Sequence, residues 1–254
     1  DTTWSRGLGD VYKRQPYHSR VWKTYSEASR SEKIVGSFWT AIFLDSYFKI
    51  NKDPFMNFSL EIGPHTDLDT LPPVKDVYVT MLPGGDYKET ASKSGELVKK
   101  GFNPVPHFPA RSINDETELK DFVTRCKDLG VKQALVIGGS RDPIGKFDSS
   151  YQMLETGFFD GIRIGIAGHP EGSPDISEEN LEKAMIDKKP YADYIVTQWL
   201  LDTQPIIDFI SKQTIPVHVG ITGPMKISSL IKFANIVGAK NSINFLKSNF
   251  SKAL

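Results

Sequence analysis

The alternation of apolar and polar positions divides most of the chain into short β-rich runs separated by stretches with helical spacing. The runs fall at 57–62, 76–81, 103–108, 132–137, 161–167, 193–198 and 215–221. In "NFSLEI" apolar and polar residues alternate until Gly63-Pro64 stops the run, which predicts a strand with Glu61 near its end. "ALVIG" and "IRIGIA" are almost wholly apolar, as expected of strands buried on both faces. Between the runs, 86–101 reads as a helix with Asp86 as N-cap and Gly101 closing it. In 114–130, Leu119, Phe122, Val123, Cys126 and Leu129 share one face, and acidic residues fill the first turn, where the helix dipole favours them. A further helix at 177–189 starts from Ser177, and others are expected at 204–212 and 225–237.

Strands alternating with helices predict a parallel sheet with helical crossovers. Seven strands are visible from Met56 onward. A (β/α)8 TIM barrel needs eight and uses about 250 residues. The expectation is therefore an α/β chain of this class lacking its last strand-helix unit. An open doubly wound sheet is the alternative, weakened because no glycine-rich dinucleotide fingerprint follows the first strand.

Residues 1–55 look different. They hold Trp4, Trp22 and Trp39 out of four tryptophans, and nine Lys/Arg against six Asp/Glu. Residues 10–15, "DVYKRQ", can be encoded in frame by the transposon-end sequence used to prepare sequencing libraries. We read 1–15 as an adapter scar and 1–55 as a non-native extension, to be kept out of fold reasoning, with the barrel domain at 56–254. "GSFWTAIFLDSYF", 36–48, reads alternatively as an amphipathic helix or membrane-facing segment, too short and mixed to span a bilayer.

Composition narrows the function classes. The 254 residues balance 31 basic against 31 acidic side chains, so nothing global points to nucleic acid. A single cysteine, Cys126, excludes an internal disulfide framework and a cysteine-rich zinc site, which fits a cytoplasmic compartment. No apolar run is long enough for a membrane span. His and carboxylate spacing suggests no metal cage, and no P-loop, nucleophile elbow or Ser-His-Asp order is present.

In a barrel the chemistry lies at the C-terminal ends of the strands. The polar residues there are Glu61, Thr80, His107, Arg141, Asp142, His169, Glu171 and Gln198, with His218 inside the seventh run. Each has a structural reading: a rim ion pair for Glu61, a core imidazole for His107, a turn-former for Asp142 before Pro143, a loop residue for His169. Gln198 resists that reading, because an amide ending an apolar strand must find partners.

Several segments resemble the methylenetetrahydrofolate reductase family. "FSLEIGP" resembles its opening strand, "PHFPARS" its Pro-His-Leu-Thr segment, and "VIGGSRDP" its Arg-Gly-Asp-Pro loop. "IGIAGHPEGSPD", "ADYIVTQWLLD" and "IPVHVGITGP" are similar to later segments, in the family's order and with none before Met56. The resemblance implies a flavin-containing barrel that passes a hydride from NAD(P)H through FAD to 5,10-methylenetetrahydrofolate, giving 5-methyltetrahydrofolate. It makes Glu61 the general acid, Asp142 a catalytic and substrate-binding residue near flavin and pterin, and Gln198 a folate contact. It puts Thr80, His107, Arg141, Ser149, Ser150 and His169 among the flavin contacts, with Lys188 the choice for the flavin diphosphate and Asp187 an alternative. Ring opening places positive charge on the substrate, which a nearby carboxylate stabilises.

This sequence departs from the family's pattern at several positions. Ser140-Arg141-Asp142 stands for Arg-Gly-Asp, His169 for a tyrosine, Ser173 for a histidine and Trp199 for a phenylalanine. Those changes keep two other classes in play: a flavin-free folate-binding methyl-transfer protein, and a non-catalytic partner subunit. A folate substrate and either a homo-oligomer or a partner subunit are the expected partners, with no nucleic acid and no membrane.

Overall fold

A computed structural model describes residues 39–45 and 58–222, apart from 141, 174, 175 and 201. Of 39–45 only the backbone path is described. Arg141, the expected helix at 225–237 and the 1–15 scar lie outside the described residues.

Eight strands form a closed barrel in sequence order. They are β1 (Trp39–Asp45), β2 (Phe58–Ile62), β3 (Asp76–Val79), β4 (Asn103–Pro109), β5 (Gln133–Ile137), β6 (Arg163–Gly168), β7 (Tyr194–Trp199) and β8 (Val217–Thr222). The strands from β2 to β8 pair in parallel, as the alternation predicts. Among the described residues the eighth strand of the barrel is not a parallel one. β1 runs antiparallel between β2 and β8, with Ala41 opposite both Glu61 and Thr222. The reading of 36–48 as a helix is thereby corrected: 39–45 are a strand. The physical reason is that β2 and β8 each offer a row of backbone donors and acceptors that must be paired. "WTAIFLD" supplies a matching extended run.

Helices α1 (Tyr87–Lys99), α2 (Glu116–Asp128), α3 (Ser150–Leu154), α4 (Glu178–Lys188) and α5 (Thr203–Ser211) lie between the strands. The starts at Asp86 and Ser177 are capped as the sequence suggests, and Asp115 and Asp202 cap two more. Asp86 accepts from Lys88 N, Asp115 from Glu118 N, Ser177 from Asn180 N and Asp202 from Gln204 N. Each such cap satisfies one of the donors a helix N-terminus leaves open. α3 was not anticipated; at five residues it is too short for a periodic signal.

Two apolar layers follow from the strand alternation. Outward-facing residues pack under the helices, where Phe108 stacks on Phe122 at 4.0 Å between centroids and meets Phe159 edge-on at 5.1 Å. Leu119, Val123 and Cys126 join this layer, and burial pushes the Cys126 thiol up to about 12. Leu129, assigned to the same face, is the C-cap of α2 and about a third exposed, with its side chain against Gly95 of α1. Inward-facing Tyr78, Val105, Leu135, Tyr194 and Val196 fill the barrel interior.

The barrel floor is polar. Asp76, Asn103, Gln133 and Arg163 are the first residues of four successive strands. Asp76 Oδ1 accepts from Asn103 Nδ2 and Gln133 Nε2, both at 3.1 Å, and Arg163 donates to Gln133 Oε1 at 2.9 Å. The buried Gln133 is thereby bonded through both its amide nitrogen and its oxygen, as buried polar groups require.

Candidate active site

Glu61 and His107 come together at the C-terminal rim. Glu61 is the penultimate residue of β2, and Glu61 Oε2 lies 3.7 Å from His107 Nε2 on β4. His107 is only 7% exposed, and its Nε2 has no hydrogen-bond partner among the described residues. Burial holds its imidazole below the ordinary value, opposed by the Glu61 charge. His107 is therefore neutral at neutral pH. Thr80 follows β3 and donates its hydroxyl to Ile62 O at 3.1 Å, tying the turn after β3 to the end of β2.

Gln198 occupies an irregularity between β7 and β8. Val196 pairs with His218 but Trp199 pairs with Gly220, so β7 carries one residue more than β8 over this span. Gly220 N donates to Thr197 Oγ1 at 2.9 Å. Bulges of this kind re-aim a side chain beside a site. Both amide atoms of Gln198 are shielded from solvent, and neither has a hydrogen-bond partner among the described residues.

His169 and Lys188 form a second group. His169 follows β6, and Lys188 ends α4 as the one buried residue of that helix, 8% exposed. Lys188 has no carboxylate within ion-pair distance among the described residues. Burial depresses its ammonium, and burial together with the Lys188 charge pushes His169 down to about 4. The pair offers an anion one fixed cation and one neutral imidazole.

The loop after β5 is strapped onto the segment after β4. Arg111 N donates to Gly138 O at 2.9 Å, Ile144 N to Arg111 O at 3.2 Å, and Lys146 N to Asn114 O at 2.8 Å. Arg111 Nε also donates to Asp148 O at 2.9 Å. A Cβ on Gly145 would lie within 2.5 Å of the Asn114 backbone, so only glycine allows this approach. Asp142 stands exposed on this loop, as does Ser149, while Ser150 is buried at the start of α3. Gln152 Oε1 accepts from the backbone of Asp148 and Ser149.

Sequence reasoning missed the interior partners. Tyr78 Oη lies 2.8 Å from His218 Nδ1, and Tyr194 stacks on His218 at 4.5 Å. A Cβ on Gly165 would sit 2.6 Å from the Tyr194 ring, so the glycine clears its space. The available signal was two inward-phased tyrosines in the third and seventh barrel strands opposite a glycine.

The geometry defines an α/β barrel with a carboxylate–imidazole pair, an unpartnered amide and a buried ammonium contributed by its strands and adjoining elements. No family model matches the chain. It is similar to methylenetetrahydrofolate reductase 1 of Schizosaccharomyces pombe, with 26% identity over 190 residues, covering 67% of this chain and 31% of that protein. The chain thus spans about a third of that relative's length. The likeness supports a relationship to that family. Among the described residues no helix is long and apolar enough to cross a membrane, and no group of three or more His, Cys, Asp or Glu is placed to hold a metal ion.

Proposed function

We propose that the chain takes part in a folate-related reduction: the flavin-dependent conversion of 5,10-methylenetetrahydrofolate to 5-methyltetrahydrofolate with NAD(P)H. The observation that carries this reading is Gln198. A glutamine amide offers a donor and an acceptor side by side, and a pterin edge presents the complementary pair. A shielded amide with neither group satisfied by the described protein suits such a ligand.

The residues also fit FAD. Lys188 is a buried cation whose cost a diphosphate would offset, and His169 lies beside it. FAD would supply the hydride transfer, while the protein binds, orients and excludes water. Glu61 donates a proton as the five-membered ring opens, and its carboxylate then faces the positive charge left on the substrate. Neutral His107 lies beside that carboxylate without adding a competing charge. Asp142, Arg141, Thr80, Ser149 and Ser150 are assigned to the cofactor and substrate by the family resemblance.

The test uses the purified full chain. It should be yellow or bind added FAD, and it should oxidise NAD(P)H with menadione as acceptor. Glu61→Gln should lower folate reduction by about a hundredfold or more, with the menadione reaction kept. A colourless protein that ignores FAD would refute the flavin reading. Tight binding of 5-methyltetrahydrofolate without any flavin would instead favour a methyl-transfer protein.

A further inference from the structure

Tyr78, Tyr194 and His218 have no part in the function above, yet they lie directly beneath it. Tyr78 on β3 is the register neighbour of Glu61 on β2, and it is 1% exposed. Its ring meets His107 edge-on, with centroids 6.1 Å apart and planes at 73°. Its hydroxyl crosses the interior to His218 on β8, 140 residues away in sequence. Tyr194 then stacks on the far side of the histidine, with planes at 23°.

His107 needs something to hold it. At 3.7 Å its contact with Glu61 is longer than a hydrogen bond, and Nε2 has no other partner among the described residues. Ring packing must therefore contribute to its orientation, and Tyr78 is its aromatic neighbour among the described residues. Packing holds the buried Tyr78 ring, and the hydrogen bond to His218 fixes its hydroxyl end. We propose that Tyr78, anchored by His218, is a positioning residue that sets the His107 imidazole against Glu61. Burial keeps the Tyr78 phenol protonated, raised well above its ordinary value, so the anchor is not lost by ionisation near neutral pH.

The consequence for turnover rests on Glu61 being the acid; the positioning itself does not. The experiment is side-chain NMR of the full chain labelled at histidine nitrogen. Five histidines make assignment tractable by single substitutions at His107 and His218. Tyr78→Phe and His218→Phe release the anchor and should each shift the His107 signals; Tyr78→Leu removes the ring edge and should shift them further. In Tyr78→Leu, kcat should fall about tenfold with KM little changed, and Tyr78→Phe should recover most of it. Should Tyr78→Leu fail to fold, the two phenylalanine variants carry the test alone. Unchanged His107 signals in every folded variant, with or without Glu61→Gln, would overturn the proposal. A Glu61→Gln protein with full turnover would defeat the reaction reading while leaving the NMR result to judge the positioning.

Discussion

Replacing Lys188 by methionine separates stability from function. Lys188 is 8% exposed and has no carboxylate partner among the described residues, so the folded chain bears the desolvation of its ammonium. That penalty is several kcal/mol for an unpaired ion. Part is relieved by local water and by the depressed pKa, which leaves about 1–2 kcal/mol to be recovered by an apolar side chain of similar length. For a chain of this size, that raises Tm by roughly 2–8 °C without ligand. The same change should weaken FAD binding by at least about tenfold, since the diphosphate loses its cation. A second signature is electrostatic. Lys188 is the smaller of two causes holding His169 near 4, so its loss should move the His169 titration upward, with burial still keeping it below normal. Thermal melts with and without FAD, together with histidine NMR titration, read all three effects. A variant that is less stable without ligand, binds FAD normally and leaves His169 unmoved would refute the argument that Lys188 is a buried, unpaired anion-binding cation.

Acid should destabilise the protein through the same histidine. The folded pKa of His169 lies below the unfolded value, so the unfolded chain binds the proton first. Stability is full above about pH 6.5 and falls as pH drops towards 4, by about 2 kcal/mol between pH 7 and 5. His107 adds to the fall in the same direction. Chemical melts across this range should show it, and His169→Asn should flatten the curve. Gly165→Ala should cost about 1–3 kcal/mol, because its Cβ would overlap Tyr194, which is itself packed on His218; an unchanged urea midpoint would contradict this. Phe122→Ala should cost about 3–5 kcal/mol by emptying the stack with Phe108, and a loss below 1 kcal/mol would show that the helix layer collapses to fill it.

Much of the scaffold is legible in local pattern. The runs at 103–108 and 132–137 become β4 and β5 within a residue at each end, because alternation and burial on both faces leave a local mark. The Asp86 cap is equally local, its side chain bonding a backbone donor two residues on, whereas the caps Asp115 and Asp202 came only with the structure. Glu61, His107 and Gln198 are foreseeable as polar residues at ends of apolar strands. Their relation is not. The 3.7 Å approach of His107 to Glu61 depends on the sheet curvature that brings together inward-facing residues of β2 and β4 over the intervening β3.

The sequence by itself determined the order of the seven strands from β2 to β8 and of the longer helices between them, and the strand ends at which polar residues fall. Those features follow from periods of two and of 3.6 residues, which a single segment carries alone. The tertiary structure decided the rest. Strand alternation reads the same in either direction, so that β1 closes the barrel antiparallel is set by the free edges of β2 and β8. One lysine in a charged helix gives no sign of burial until α4 packs it beside His169. The Tyr78–His218 hydrogen bond joins residues 140 positions apart, and no local pattern encodes a contact that exists only when the sheet curls.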